Sequence, residues 1–428
     1  MEFLLHYTWR HRLFPLKELF TTDGELVEVI DVGLRNTDAG PDFFNAKLKI
    51  GGVLWVGNVE IHQRTSDWFA HKHHQNRAYD TVVLHVAEQD DGMPICRTDG
   101  GRIPLLVLPV PESVKLNYKQ LMERECYPPC YDVIQTLPKL TTHSFLSALW
   151  IERLTQKGER IRELAEHVEQ DWEQAFFITL ARNFGFGVNG EAFQRWASLV
   201  PLRAVDKHRD SLMQVEALFF GVAGLLEEEL PDDGYYSQLQ REFRFLATKF
   251  DLERMDPVAW RCLRMRPSNF PYIRLAQLAY LYHRGQGLLG RLLDVTSMGE
   301  AEELFEVATS AYWEEHYRFG TGTGKKTKRM GTPSKRLLVI NTLAPFLYAY
   351  GRYKSNEAWT DRAIALVESL PPEDNHIIRM WKACGLEVKN AADSQALIQL
   401  KRLYCDKKEC LRCRFGYEYL KRKSIINR

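Results

Sequence analysis

The chain has 428 residues, a formal net charge of +1, 26% charged and 45% hydrophobic residues. This length leaves room for two or three domains, and the composition is that of an ordinary globular protein. No stretch approaches about 18 apolar residues, the apolar start Phe3-Leu4-Leu5 is too short for a signal peptide, and the eight cysteines are too few for a secreted disulfide scaffold. We therefore expect a cytoplasmic, reduced protein that does not bind a membrane.

The N-terminal quarter of the chain, residues 1–112, is predicted to form a mixed domain dominated by strands. Period-two patterns and turn residues define its elements. In chain order these are a helix near 3–12 and strands at 26–30, 43–50, 53–62, 81–86 and 103–110. Gly51-Gly52, between the second and third strands, has the chemistry of a two-residue hairpin turn.

From residue 113 onward the apolar spacing changes to about 3.6 residues, which predicts a helical domain over 113–428. The predicted helices are 144–168, 174–183, 191–199, 211–226, 237–250, 274–282, 304–316, 336–350, 359–370 and 394–405. No fixed-period repeat is present, so a solenoid is not supported. The predicted fold class is α+β, with a small mixed-sheet domain followed by a larger all-α domain.

Two short motifs place acidic residues on neighbouring strands of the N-terminal domain. Asp42 begins one strand, within Gly-Pro-Asp-Phe, and Glu60 and His62 end the next. Alternate residues of a strand face the same side, so Asn58, Glu60 and His62 share a face. The hairpin returns the second strand antiparallel, and residues near 43 then lie opposite residues near 60. We expect Asp42 and Glu60 to approach within metal-bridging range, with Glu28 as a third carboxylate.

This arrangement predicts a divalent-metal site. Carboxylate oxygens hold Mg²⁺ or Mn²⁺, and the metal lowers the pKa of a bound water. His62 is then a general base, a stabiliser of charge if protonated, or a metal ligand. The structural alternative is that Asp42 caps a turn and Glu60 pairs with His62 at the sheet edge.

A histidine-rich tract follows the second motif. It contains His71, His73, His74 and His85, and imidazole suits Zn²⁺, Mn²⁺ or Fe. The tract forms part of the same active site, a separate metal site, or a set of hydrogen-bonding side chains that support the hairpin. We take His71 and His73 as candidate metal ligands. No His-Glu-x-x-His motif is present, so a zincin-type metalloprotease is not expected.

A basic segment, residues 320–335, is predicted to be irregular. It resembles a phosphate-binding P-loop but lacks two required residues, because Phe319 stands in place of the first glycine and Lys326 in place of Ser or Thr. A mobile loop is the simpler interpretation, and the alternative is that the segment contacts a nucleic-acid backbone. The candidate substrate-binding residues are Lys325, Lys326, Lys328 and Arg329.

Three cysteines near the C-terminus, Cys405, Cys410 and Cys413, form a Cys-x₄-Cys-x₂-Cys pattern. Thiolates at such intervals bind Zn²⁺ or an iron–sulfur cluster. Cys384 is the first candidate for the fourth ligand, with Cys126, Cys130 or a histidine behind it. The alternative is that these are packed thiols without a metal.

Pro41-Asp42 and Glu60-Ile61 resemble the motif of the PD-(D/E)XK nuclease superfamily, over about residues 25–90. His62 stands where that superfamily has lysine. The resemblance implies a restriction-endonuclease-like domain, with Asp42 and Glu60 as ligands of Mg²⁺ or Mn²⁺. It also implies hydrolysis of phosphodiesters in DNA or RNA.

Over nearly the full length, the chain resembles a bacterial family catalogued as domain of unknown function 2851. This family has no assigned activity, so the resemblance predicts none. The segments that carry this resemblance are Gly40–Phe43, Gly57–His62, Ser66–Trp68, Leu84–Val86, Arg266–Pro271, Ile340–Thr342, Ser394–Leu397 and the cysteine segment.

The expected function is divalent-metal-dependent hydrolysis of nucleic-acid phosphodiesters, with Asp42, Glu60 and His62 as catalytic residues. A rival interpretation is a catalytically inactive nuclease-fold protein that binds nucleic acid or supports an assembly. A third is a hydrolase of a small phosphate or amide substrate, with a metal held by the histidines.

Overall fold

The computed structural model of the chain describes residues 2–14, 18–285 and 287–422. The chain forms two compact units, one of residues 1–137 with 402–428 and one of residues 138–401. Residues 113–137 and the described residues of the C-terminal segment, 402–422, belong to the same unit as the strand-rich part.

The N-terminal part of the first unit alternates between short helices and strands. Its elements are α1 (Glu2–Arg10), β1 (Leu19–Phe20), β2 (Leu26–Asp31), β3 (Leu34–Arg35), β4 (Phe43–Ile50), β5 (Val53–Arg64), α2 (Asp67–Ala70), β6 (Val82–Gln89), β7 (Leu105–Val107), α3 (Glu112–Glu123) and α4 (Tyr131–Ile134).

The second unit is mainly helical. Its elements are α5 (Lys139–His167), α6 (Trp172–Phe184), α7 (Gly190–Leu199), α8 (Leu202–His208), α9 (Leu212–Val222), α10 (Gly234–Phe250), α11 (Pro271–Arg284), α12 (Leu288–Asp294), α13 (Met298–Leu304), α14 (Ala311–Glu315), β8 (His316–Arg318), β9 (Thr321–Gly322), α15 (Thr332–Leu338), α16 (Ala344–Tyr353), α17 (Glu357–Glu368), α18 (His376–Ala383) and α19 (Ala391–Gln399). After a π-helical segment, Leu400–Cys405, the chain returns to the first unit and ends its described part with α20 (Arg414–Leu420).

The α+β prediction is confirmed at this level: a mixed sheet near the N-terminus is followed by a mostly helical region. The helix predicted at 304–316 is wrong in its extent. The chain is helical to Leu304 and again over Ala311–Glu315, and it is not helical between them. The β-branched residues Val307 and Thr309 lie in that gap, where they disfavour a continuous helix. None of the helices in the described part of the chain has the length and apolar composition that crossing a membrane demands.

Among the described residues, the sheet of the first unit has seven strands in the order β1-β2-β4-β5-β6-β7, with β3 paired to β4. Strand β4 pairs antiparallel with both β2 and β5, whereas β6 pairs parallel with β5 and β7. The β4–β5 turn is the predicted glycine pair, because Gly51 and Gly52 have φ angles of 56° and 87°. Phe43 lies opposite Val59, so the predicted register of the hairpin is confirmed to within one residue.

The two faces of β5 have different neighbours. Val59 and Ile61 are buried in a core cluster with Leu4, Leu5 and Trp9 of α1. The predicted apolar face of the strand is therefore confirmed, and α1 packs on it. Glu60 and His62 point to the opposite side of the strand, beside the segment that joins β5 to β6. That segment has its own core cluster around Trp68.

Candidate metal centre

Two hydrogen bonds from backbone amides to side-chain carboxylates connect the segments of Asp42 and Glu60. The main-chain amide of Asp42 donates to Oε2 of Glu60 at 3.0 Å, and the amide of Ile61 donates to Oδ2 of Asp42 at 2.9 Å. Both bonds follow from the hairpin, since β4 begins directly after Asp42, opposite the end of β5. The close approach predicted for the two carboxylates is therefore present in the structure.

Two imidazoles lie beside the second oxygen of Glu60, and a third lies beside one of those two imidazoles. His73 Nε2 lies 3.2 Å and His62 Nε2 lies 3.5 Å from Glu60 Oε1. His71 Nδ1 lies 3.1 Å from His62 Nε2. Among the described residues, His62, His71 and His73 form the one set of three or more side chains whose ligand atoms all lie within 4.8 Å of one another.

These separations fit one tetrahedral metal ion. With metal–ligand bonds of about 2.0–2.1 Å, tetrahedral geometry places neighbouring ligand atoms about 3.3 Å apart. The observed separations of 3.1, 3.2 and 3.5 Å lie around that value. Three imidazoles, with a carboxylate oxygen beside two of them, suit a borderline transition metal such as Mn²⁺, Fe²⁺ or Zn²⁺, whereas Mg²⁺ prefers oxygen ligands alone. The side chains present therefore fit Mn²⁺, one of the two predicted metals, better than Mg²⁺.

Burial has left polar atoms at this site without suitable partners. His6 Nε2 and His73 Nε2 are buried and make no hydrogen bond. Each nevertheless faces a carboxylate oxygen, Asp42 Oδ2 at 3.5 Å and Glu60 Oε1 at 3.2 Å. Buried polar groups in folded proteins are normally satisfied, so these two nitrogens are exceptions among the buried polar atoms of the site.

The pKa values of both carboxyl groups are raised. Burial raises the pKa of Glu60 to about 9, and the neighbouring Asp42 carboxylate adds to this shift. Burial raises the pKa of Asp42 to about 6, against the opposing hydrogen bond from the Ile61 amide. Two buried carboxylates that resist ionisation together are the arrangement that a divalent cation relieves.

The pKa values of His62, His73 and His85 are lowered, which favours their neutral forms. Burial, followed by the repulsion of His85, lowers the pKa of His62 to about 2. Burial likewise lowers the pKa of His85 to about 3 and that of His73 below its ordinary value. Neutral imidazole is the form that binds metals. Stabilisation of charge by a protonated His62, one of the predicted roles, therefore disagrees with its surroundings.

Four further side chains lie around the centre; the sequence analysis included His85 in the histidine tract and gave no role to the other three. His85, on β6, shares a 2.7 Å hydrogen bond through its Nε2 with His62 Nδ1. Tyr79 stacks on His73 with ring centroids 3.8 Å apart. His6 of α1 lies beside the carboxylate of Asp42. The positive charge of Arg35, on β3, opposes the rise that burial causes in the pKa of Asp42, and it adds to the lowering that burial causes in the pKa of His6. In the sequence, Glu2 and His6 are one helical turn apart, and this spacing is the pattern that could have indicated a contribution of α1 to the site.

Two nearby residues are not brought to the centre. Glu28 lies opposite Lys49 in the β2–β4 pairing, near the hairpin end of β4 and several residues from Asp42. Its carboxylate lies 3.4 Å from Lys49 Nζ and is half exposed. His74 contacts Gln75 and the ring of Phe69 instead of the metal-ligand set.

The basic segment of the second unit does not present all four predicted cations. Lys325, Lys326 and Arg329 are exposed. Lys328 is only 5% exposed, and its ammonium donates to the backbone carbonyls of Trp313 and Glu314 at 2.5 and 3.0 Å. Lys328 thus stabilises the fold of this segment and does not offer its charge to a substrate.

The cysteines divide between the two units. Cys405, Cys410 and Cys413 lie in the first unit together with Cys130, around a common cavity. Cys384 belongs to the second unit, where it ends helix α18. Cys126 lines the same cavity as Cys130 but is exposed.

The family model described as "Protein of unknown function (DUF2851)" matches residues 2–376. The chain belongs to this family, as the motif resemblance predicted. Two segments quoted for the resemblance, 394–397 and the cysteine segment, lie beyond the matched range. No curated protein and no solved structure matches the chain.

Proposed function

Since the family of this chain is described as of unknown function, we propose from the site itself that the chain is a divalent-metal-dependent phosphodiesterase acting on nucleic acid. The observation that carries the proposal is the convergence of Glu60 Oε1 with the imidazoles of His62 and His73, next to the partly buried carboxylate of Asp42. Hydrolysis of a phosphodiester needs a cation at the phosphate and a polar group at the attacking water.

The proposed ligands are Glu60, His62, His71 and His73. Each is placed by secondary structure: the first two by β5, and the others by the turn that follows α2. His85 fixes the ring of His62 through its Nδ1, which leaves Nε2 of His62 facing Glu60. Outer partners of this kind orient a ligating imidazole and set its tautomer.

Asp42 is the proposed acceptor of the proton from water. Its carboxylate is fixed by the Ile61 amide, and its pKa of about 6 suits a base that works near neutral pH. A bound metal ion would polarise the phosphate and lower the pKa of the water. Arg35 is exposed on β3, beside Asp42, where its guanidinium would hold a phosphate oxygen.

A restriction-endonuclease-like fold of the first unit is part of the same proposal. It is supported by the mixed sheet, whose antiparallel pair β4–β5 carries Pro41-Asp42 and Glu60-Ile61 at neighbouring ends, with β6 parallel to β5. His62 takes the place of the lysine in the superfamily motif, and in this proposal it binds the metal instead of contributing a charge.

A second candidate is favoured by the three imidazoles. Such a donor set also suits a hydrolase of a small phosphate or amide substrate. Polymer cleavage separates the two candidates, because an enzyme of this second kind would hydrolyse a small diester or amide and leave nucleic acid intact.

The test uses the full chain loaded in turn with Mn²⁺, Zn²⁺ and Mg²⁺. The substrates are labelled single- and double-stranded DNA and RNA, and bis(4-nitrophenyl) phosphate. We expect nucleic-acid cleavage with Mn²⁺ or Zn²⁺, lost in Asp42→Asn and Glu60→Gln and kept in the matched control Glu28→Gln. Folded, metal-loaded protein that binds nucleic acid and never cuts it would overturn the proposal in favour of the non-catalytic alternative.

A further inference from the structure

The C-terminal segment of the first unit is fastened to the region of α3 and α4. The side-chain amide of Asn117 donates to the carbonyls of Tyr419, Leu420 and Arg422 at 3.3, 3.1 and 3.0 Å. Arg422 also donates to Asp132 Oδ2 at 3.0 Å. These contacts join residues about 300 positions apart in sequence, and they explain why Cys130 meets cysteines that follow it so distantly.

Five cysteines line one cavity at this junction, and one of them, Cys126, is exposed. Cys130, Cys405, Cys410 and Cys413 all line a space of about 290 Å³. Cys130 and Cys413 are each only 7% exposed. Burial, followed by the neighbouring Cys413, raises the pKa of both Cys130 and Cys405. Four thiols that line one partly buried pocket can act as a soft-metal donor set.

The backbone that follows Cys413 packs closely against Cys410 and Cys413. The backbone amides of Phe415 and Gly416 donate hydrogen bonds to the Cys413 sulfur. A Cβ atom at position 416 would lie 2.0 Å from the carbonyl oxygen of Cys410, so glycine is required there. Burial raises the pKa of the Cys413 thiol, and these two amide hydrogen bonds oppose that rise only in part.

We propose that Cys130, Cys405, Cys410 and Cys413 ligate an iron–sulfur cluster. A single zinc ion with Zn–S bonds of about 2.3 Å would draw its thiolates to about 3.8 Å from one another. Among the described residues, no three cysteine sulfurs lie within 4.8 Å of one another. A four-iron cluster holds its thiolates at separate corners of a cube, which suits this wider set and its cavity.

The proposal changes the fourth ligand expected from the sequence. Cys130 replaces Cys384, which belongs to the other unit. It also gives the cluster a physical role, because three ligands come from the C-terminal segment and one from the N-terminal part of the chain. The cluster would tie the segment to the region around α3 and α4.

The test is the metal and sulfide content of the full chain, purified without oxygen and reconstituted with iron and sulfide. We expect about four irons and four sulfides per chain, lost in Cys130→Ser and Cys405→Ser and kept in the matched control Cys384→Ser. Electron paramagnetic resonance of the reduced wild type identifies the cluster without any variant. Manganese bound at the histidine centre reports that each serine variant has folded.

Three results would overturn the proposal. One is a single zinc per chain without sulfide. Another is an iron signature that depends on Cys384 and not on Cys130. The last is a wild type that takes up neither iron nor sulfide on reconstitution. Because sulfide is taken up only with an iron–sulfur cluster, the Glu60→Gln variant should keep the full sulfide content, so failure at the cysteines and failure at the histidine centre are distinguishable.

Discussion

The backbone amide of Asp42 donates a 3.0 Å hydrogen bond to Oε2 of Glu60, so that one oxygen of Glu60 is fixed by the strand that follows Asp42. The other oxygen, Oε1, is left facing His62 and His73. Glu60 therefore has two separate tasks, one structural and one towards a metal. A substitution that keeps the first task and removes the second isolates the chemistry of the centre.

Glu60→Gln is that substitution. The amide oxygen of glutamine still accepts the hydrogen bond from Asp42, but the negative charge is gone. We expect affinity for Mn²⁺ and Zn²⁺ to fall by more than the roughly 10–100-fold that loss of an outer-shell partner costs. Isothermal titration of the metal-free protein measures this change. Unchanged metal affinity would exclude Glu60 as a ligand.

His85 is predicted to act through His62. Its side chain is fully buried and shares the 2.7 Å bond with His62 Nδ1. We expect His85→Gln to lower metal affinity by about 10–100-fold, because the ring of His62 loses its fixed orientation. His74→Gln is the matched control, since His74 contacts Gln75 instead. Equal affinities for the two variants would contradict the role given to His85.

The raised pKa of Glu60 makes the stability of the metal-free protein depend on pH. The pKa is about 9 in the folded state against an ordinary 4.5, so folding favours the protonated form. The associated stability is fully present below about pH 4.5 and is lost as the pH rises through about 9. We expect the Tm of the wild type to fall relative to that of Glu60→Gln across this range.

Thermal scans of both proteins in a chelator test this expectation. Comparison with the variant matters, because the lowered pKa values of His62 and His85 destabilise the fold in the opposite direction, as the pH falls below 6.5. Saturating Mn²⁺ should remove the alkaline loss, since the cation stabilises the ionised carboxylates. A Tm difference that rises with pH would show that the sign is wrong.

Gly57 is predicted to be required for the contact between β5 and β6. A Cβ atom there would lie 2.3 Å from Val83 Cγ1 and 2.9 Å from the Thr81 carbonyl oxygen. We expect Gly57→Ala to lower the free energy of unfolding by roughly 1–3 kcal/mol, as overpacking in a close-packed interior does. Urea denaturation measures the loss. Gly290→Ala, in open space on α12, is the control and should not be destabilised.

The sequence was sufficient for the hairpin and its carboxylates because both depend on local rules. Alternation placed Glu60 and His62 on one face, and the glycine pair set the register that brings Asp42 to Glu60. The roles of His6 and His85 were not predictable in this way. They depend on which strand lies beside β5 and on where α1 packs, and no local sequence pattern indicates either of these.

The cysteines show the same limit. The spacing of Cys405, Cys410 and Cys413 marks a candidate site, but spacing cannot find a ligand that arrives from the other end of the chain. Cys384 is nearer in sequence, whereas Cys130 lines the same cavity as the three C-terminal cysteines. Likewise, Lys328 was predicted to be a surface cation from the composition of the basic segment, but its side chain is buried in the structure.

The most direct test of the central claim is cleavage of labelled DNA and RNA by the manganese-loaded wild type, beside Glu60→Gln at the same protein concentration. The account predicts phosphodiester cleavage by the wild type, with a rate that follows the amount of bound metal and is lost in the variant. Cleavage that survives in Glu60→Gln, or a folded and fully metal-loaded wild type that leaves every nucleic acid intact, would contradict it.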